Sequence, residues 1–472
     1  FITGFFFSVS SFDEAETGNK FPEESSIKLP KTPSLDSKRR EKLFAFLGRI
    51  FEEDKDFSRA AEAYQEALKI SPGNPALRSS LARAYQDAGE EDSAIRQYEI
   101  ILDSSARDLN SSTASVRLKA IKYISPIPGP EADSLLRETL NDPDPSVRQA
   151  VALELGKRGN EDAIPILIQL ISENSRNATR ASSILAQMKV TEAIPVMAKR
   201  LSDNRLGNRR TTASCLGNMG DPSALDYLLP CLKDDDYLMR KTTVFALWKL
   251  HDPRAIPPLI EALNDDAAIV KKLAAYALGK LGDPKAIEPL EKLIEDTTDS
   301  NHLYAALALA ELGAPVDTKI FLDELDADDF FYRGTAIEGL EAAGDLEAAR
   351  AIIPMLKDKT SWVRVMAAEA LATLNLPESR EALIENMNTY GLPERAYSAA
   401  ALWNLGDEVG LELLTELMNS PYPEKREFAA GALSFVNDES RQPLLRKALN
   451  DPSLIVRRIA EESLQAKEKI IE

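Results

Sequence analysis

The same residue pattern returns every 31 positions along most of this chain, and that period constrains the fold more than any other feature. One copy, Ala268 to Thr298, reads AIVKKLAAYALGKLGDPKAIEPLEKLIEDTT. Apolar residues fall at spacings of three and four from Ile269 to Leu281, and again from Ala286 to Ile294. Each run predicts a helix with one buried face, and Gly282-Asp283-Pro284 predicts the turn between them. Neither helix can hide its face alone, so successive copies must stack. The expected fold is all-α, a solenoid of helix pairs wound as a right-handed superhelix.

Three columns fix the register. At the turn stand Gly159, Lys189, Gly220, His251, Gly282, Gly313, Gly344, Asn375, Gly406 and Asn437, mostly types that tolerate a left-handed backbone. One position later, Asp221, Asp252, Asp283, Asp345, Asp407 and Asp438 are placed to cap the second helix. Pro222, Pro253 and Pro284 follow at its first position, where a missing N–H does no harm. The third column is basic: Arg148, Arg209, Arg240, Lys271, Arg333, Arg364, Arg395, Arg426 and Arg457, with His302 between them and Arg117 upstream. Ala178 interrupts it once, in a frame one residue short. A residue at every frame could form an anion-binding ladder. The recurring aspartates favour a structural ladder instead, in which each base bonds an aspartate or free carbonyls at a neighbouring turn.

The repeats occupy 112–472 as about eleven full frames and a terminal helix. Residues 1–40 are expected to be a disordered leader, rich in Glu, Ser, Pro and Lys after an apolar FITGFFF and a small-residue SVSS. That opening resembles the end of a secretory signal, so a periplasmic or secreted protein is expected, with a cytoplasmic one as the alternative. From 41 to 108 a different, 34-residue period appears. Phe44, Leu47, Gly48, Phe51, Ala60, Tyr64, Ala67 and Pro72 form one copy; Leu81, Ala82, Tyr85, Ala94 and Tyr98 mark a second. This segment resembles a pair of tetratricopeptide repeats.

The 31-residue frames, such as DPDPSVRQAVALELGKRGNEDAIPILIQLI, resemble HEAT-like repeats of the phycobilisome-lyase type. The resemblance implies an α-solenoid with the second helix of each pair lining the concave side. It implies no single activity.

A net charge of −19 disfavours a nucleic-acid partner, because phosphate binding needs a basic surface. No run approaches the ~20 apolar residues of a membrane span. Deoxyhypusine hydroxylase, built on similar repeats, holds iron with several His-Glu pairs. Here His251 and His302 are the only histidines and both sit in repeat columns, so no metal site and no cofactor are expected. Cys215 and Cys231 are expected as packed thiols, although their places in one frame would permit a disulfide. No nucleophile stands beside a base, so no catalytic residue is assigned.

The aromatics break the pattern. Phe331 and Trp362 share a column in adjacent frames, with Phe330 and Tyr332 beside them, where other frames hold Gly207, Leu238, Ile269, Ser300 and Glu424. They either fill gaps between frames or form a partner-binding patch, since interface hot spots favour such rings. The expected function is a non-catalytic scaffold that binds one or more proteins, two of them bridged by the two repeat types. The alternative is a phycobilin lyase or lyase-like chromophore chaperone.

Overall fold

The computed structural model describes residues 36–471, apart from 55, 296–300, 421 and 452. The export-like opening of the sequence lies outside the described residues. Helices are the only regular elements among those described, and they form two compact units that divide between Ala132 and Asp133.

The first unit contains α1 (Ser37–Glu53), α2 (Phe57–Ile70), α3 (Pro75–Asp87), α4 (Glu91–Leu109) and α5 (Ala114–Ile124). Side chains cap three of them, with Asp36 accepting from the Arg39 amide at 2.9 Å, Asp56 from the Arg59 amide at 3.0 Å and Asn74 from the Leu77 amide at 3.3 Å. Phe44, Phe51, Tyr64, Leu77 and Leu81 fill the core. Gly48 is small for a steric reason. A Cβ there would stand 2.6 Å from the Tyr64 ring, so only glycine lets α1 and α2 close on that tyrosine.

The second unit alternates long first helices with short second ones. The long helices are α6 (Pro145–Lys157), α7 (Ala178–Gln187), α8 (Leu206–Met219), α9 (Tyr237–Leu250), α10 (Ala268–Leu281), α11 (His302–Glu311), α12 (Phe330–Ala343), α13 (Ser361–Leu374), α14 (Leu392–Asn404), α15 (Pro423–Leu433) and α16 (Leu454–Ile471). Each second helix typically opens with a 3₁₀ turn, as in Pro284–Ala286 before Ile287–Glu295. In the frame from Ala268 the predicted helices hold to within one residue. All six column aspartates cap as the spacing predicts, accepting a backbone N–H two residues on at 2.8–3.2 Å.

The turn column is left-handed at nine of its ten positions, including the side-chain-bearing Lys189 (φ 55°), His251 (49°) and Asn375 (52°). Asn437 is the exception. There α15 already ends at Leu433, and Arg441 takes up the freed Leu433 and Ser434 carbonyls at 2.7 and 2.9 Å. Asn404 holds the Asn437 amide at 2.8 Å, so no left-handed residue is needed.

Long helices pack on long helices from frame to frame far more closely than short on short. Gly279 marks one such approach, since a Cβ there would lie 2.7 Å from the Ala308 Cα. Lys249 near the end of α9 also lies within electrostatic reach of Arg458 and Glu462 on α16. Close spacing and the meeting of distant members put the first helices on the inside of this unit's bend. This corrects the expectation that the second helix of each frame lines the concave side. The physical reason is the small column Ala246, Ala277, Ala308, Ala370 and Ala401, which is buried and lets the first helices crowd together.

Candidate protein-binding surface

The basic column ties one frame to the next. Arg333 is 3% exposed, and its Nη1 donates to the Ala327 and Asp328 carbonyls at 2.7 and 2.9 Å, at the turn before its own helix. Its Nε and Nη2 reach forward to both carboxylate oxygens of Asp358 at 2.8 and 2.9 Å. Arg240 repeats the arrangement on Asp265, and Arg426 on Asp451. Arg209 reaches Asp234, while Arg148, Arg457 and Arg117 donate to carbonyls six residues back. Lys271 and His302 keep their places in the column at the starts of α10 and α11. Arg395 departs from the column, being exposed. The carboxylate that Arg364 uses comes from Glu394, 1% exposed, whose Oε1 accepts from Arg364 Nη2 at 2.7 Å. The turn before α14 carries Tyr390 and Gly391 instead of an aspartate, and the Tyr390 ring lies 4.1 Å from the Arg364 guanidinium.

The four aromatic residues singled out by sequence divide into two groups. Phe330, Phe331 and Trp362 cluster at the starts of α12 and α13, with ring centroids 4.2 to 5.7 Å apart. Asp329 caps α12 from beside them, accepting from the Phe331 amide at 2.9 Å. The indole of Trp362 lies against Gly334, where a Cβ would come within 2.2 Å of it. Part of this cluster therefore fills a gap, yet all three rings remain partly exposed. Tyr332 turns instead to Tyr304, 6.3 Å away, and Lys272 Nζ sits over both rings at 4.0 and 4.9 Å.

Two turns farther along the same helices, seven residues after Phe331 and Trp362, lies a feature that sequence reasoning missed. Glu311, Glu338, Glu341 and Glu369 come together from α11, α12 and α13. Lys280 of α10 pairs with Glu311 and, at 2.8 Å, with Glu338, while its ammonium stands 5.2 Å from the Tyr276 ring centre. Burial, partly offset by Lys280, raises the Glu311 carboxyl to about 7. Burial with repulsion from Glu341 and Glu338 raises Glu369 to about 8, and burial also raises Glu341. Burial opposes the charge on Lys280, but the surrounding acids hold its pKa above the ordinary lysine value. Farther back along the row, Trp248 packs edge-on to Phe245 and Tyr276 at 5.2 and 5.7 Å. The face thus offers partly exposed rings and, two turns along the same helices, acids that repel one another, a chemistry suited to apolar and basic side chains.

Among the described residues no group of three or more His, Cys, Asp or Glu side chains is arranged to hold a metal ion, and no helix is long and apolar enough to cross a membrane. His251 occupies its left-handed turn. Both cysteines are free thiols; Cys215 is buried, but Cys231 is only half-buried and lies outside the core.

Comparison with known proteins fits this architecture. Tetratricopeptide repeat matches residues 52–110. No curated protein matches the chain. Among solved structures, human deoxyhypusine hydroxylase in complex with glycerol is similar at 22% identity, covering 60% of this chain and 99% of that one with a TM-score of 0.27. The CpcE–CpcF complex of phycocyanin lyase from Nostoc is 24% identical, covering 56% and 95% with a TM-score of 0.34. The karyopherin Kap121p bound to the extreme C-terminus of the phosphatase Cdc14p is 13% identical, covering 92% and 63% with a TM-score of 0.41. HEAT repeats match at 104–186, 177–244, 228–311, 318–391 and 393–465, most of the sequence, and the chain belongs to the HEAT repeat family.

Proposed function

We propose that the protein is a non-catalytic scaffold that grips a partner protein on the inner face of its long-helix row. The observation that carries this reading is the partly exposed trio Phe330, Phe331 and Trp362, two turns along the same helices from the glutamates of α12 and α13. Rings anchor a partner through apolar burial, and the acids select basic residues around that anchor. Tyr332 contributes through its ring pair with Tyr304. The tetratricopeptide helices offer a separate surface, so a second partner can be held at once.

The test compares partner capture from native extract by the full chain and by a Phe330→Ala/Phe331→Ala variant. Both rings are partly exposed, so the variant is expected to keep its fold, with a stability loss of about 2–4 kcal/mol that a thermal melt checks. Capture is expected to fall at least tenfold; undiminished capture would rule this face out. Incubation with a bilin and an apo-phycobiliprotein separates the enzymatic alternative, because a covalent coloured adduct would overturn the scaffold reading.

A further inference from the structure

The basic column breaks once, at Ala178, and in that frame a different arginine is buried. Arg200 is 6% exposed. Its Nη1 donates to Asn174 Oδ1 at 2.7 Å and its Nη2 to Thr179 Oγ1 at 3.2 Å. Both acceptors are neutral, and its Nε is buried with no hydrogen-bond acceptor. The acid that acts on it electrostatically is Asp203, which is otherwise engaged. Asp203 accepts from the Arg205 amide at 2.8 Å, from the Arg205 guanidinium at 3.2 Å and from Asn208 at 3.0 Å.

Arg240, Arg333, Arg364 and Arg426 are each matched by a carboxylate, whereas no described carboxylate forms an ion pair with Arg200. An uncompensated buried charge is costly, and Arg200 differs from Arg441, which is buried without an ion pair but bonds two carbonyls, in keeping a buried Nε with no acceptor. Arg200 lines a cleft of about 500 Å³ together with Ser172, Lys199, Ser202, Asn204 and Arg205. Lys199 and Arg205 are exposed at its rim. Three cations, Lys199, Arg200 and Arg205, against Asp203 alone leave 3 − 1 = +2 there, on a chain whose total is −19.

We propose that this cleft binds a phosphoryl group, carried by a small phosphate or by a phosphorylated side chain. Its charge of about −2 balances the local +2, and its several oxygens suit the guanidinium, ammonium, hydroxyl and amide groups that line the cleft. A carboxylate would leave one positive charge unbalanced. Because the chain is acidic elsewhere, the anion is held by this local geometry and not by a general positive field.

The experiment titrates the full chain with inorganic phosphate, and with a phosphoserine peptide and its unphosphorylated twin, by calorimetry and by thermal melting at constant ionic strength. Saturable binding is expected, with a rise of about 2 °C in the melting midpoint at ten times Kd. Arg200→Gln should weaken binding at least tenfold, and Arg205→Ala severalfold. If Arg200→Gln fails to fold, the exposed-site variants Arg205→Ala and Lys199→Ala carry the test. Tighter binding of the phosphopeptide than of phosphate would assign the group to a partner chain, and equal affinity would assign it to a small phosphate. No saturable binding to the natural chain, or equal binding by every folded variant (an adventitious ion only), would overturn the proposal.

Discussion

At the scale of single residues, the arginine column separates side chains that look alike in sequence. Arg333 and Asp358 are almost wholly enclosed and bonded through two parallel contacts, so removing one partner strands the other charge in the interior. Arg333→Ala should cost about 3–5 kcal/mol in urea unfolding, whereas Arg395→Ala, at an exposed side chain of the same column, should stay within about 0.5 kcal/mol. The ladder was legible in sequence because a basic residue and an aspartate recur at one period. What the column could not convey is which of two neighbours turns inward. Glu394 and Arg395 are adjacent, and the loss of the turn aspartate before α14 hands the buried acceptor position to Glu394. Arg200 was illegible for a related reason, since it reaches its place from outside the column altogether.

At the scale of elements, caps and close approaches set where helices stop and how near they stand. Asp283→Ala removes the 2.9 Å bond to the Lys285 amide and should cost about 1 kcal/mol, seen as faster amide exchange in Ile287–Glu295. Gly279→Ala is a harsher change, because its methyl would meet the Ala308 backbone on the next long helix. Overpacking there should cost about 1–3 kcal/mol and raise exchange in both α10 and α11. The helices and their turns were readable from period and punctuation. The glutamate cluster was not, because Glu338 and Glu369 occupy a column that holds Tyr276, Leu307 and Ala400 elsewhere. In one dimension they resemble an ordinary solvated face. Their meaning depends on which row of helices lies inside the bend, and helix periodicity leaves that undetermined.

At the scale of the whole molecule, the two sets of acids pull stability in opposite directions with pH. Asp265 and Asp451 are penalised by burial, yet bonds from Arg240 and Arg426 hold them below the usual carboxylate range. Their contribution is present above about pH 4 and lost as pH falls through their folded values. Glu311 and Glu369 are raised to about 7 and about 8. Their contribution is full below the unfolded glutamate value of about 4.3 and lost as pH rises through 7 and 8. The melting midpoint should therefore peak near pH 5, and Glu369→Gln should flatten the fall toward pH 8 while leaving the acid limb unchanged. The same acids, on the helices that carry the partly exposed rings, make the inner face of the long-helix row the place where a partner is expected. The most direct measurement puts a photoreactive phenylalanine analogue at Phe331 and, in a separate variant, at Tyr227, an exposed residue on a short helix. Irradiation in native extract should give a crosslinked partner protein from position 331 and none from position 227. A partner crosslinked from position 227 with nothing from position 331 would contradict the account.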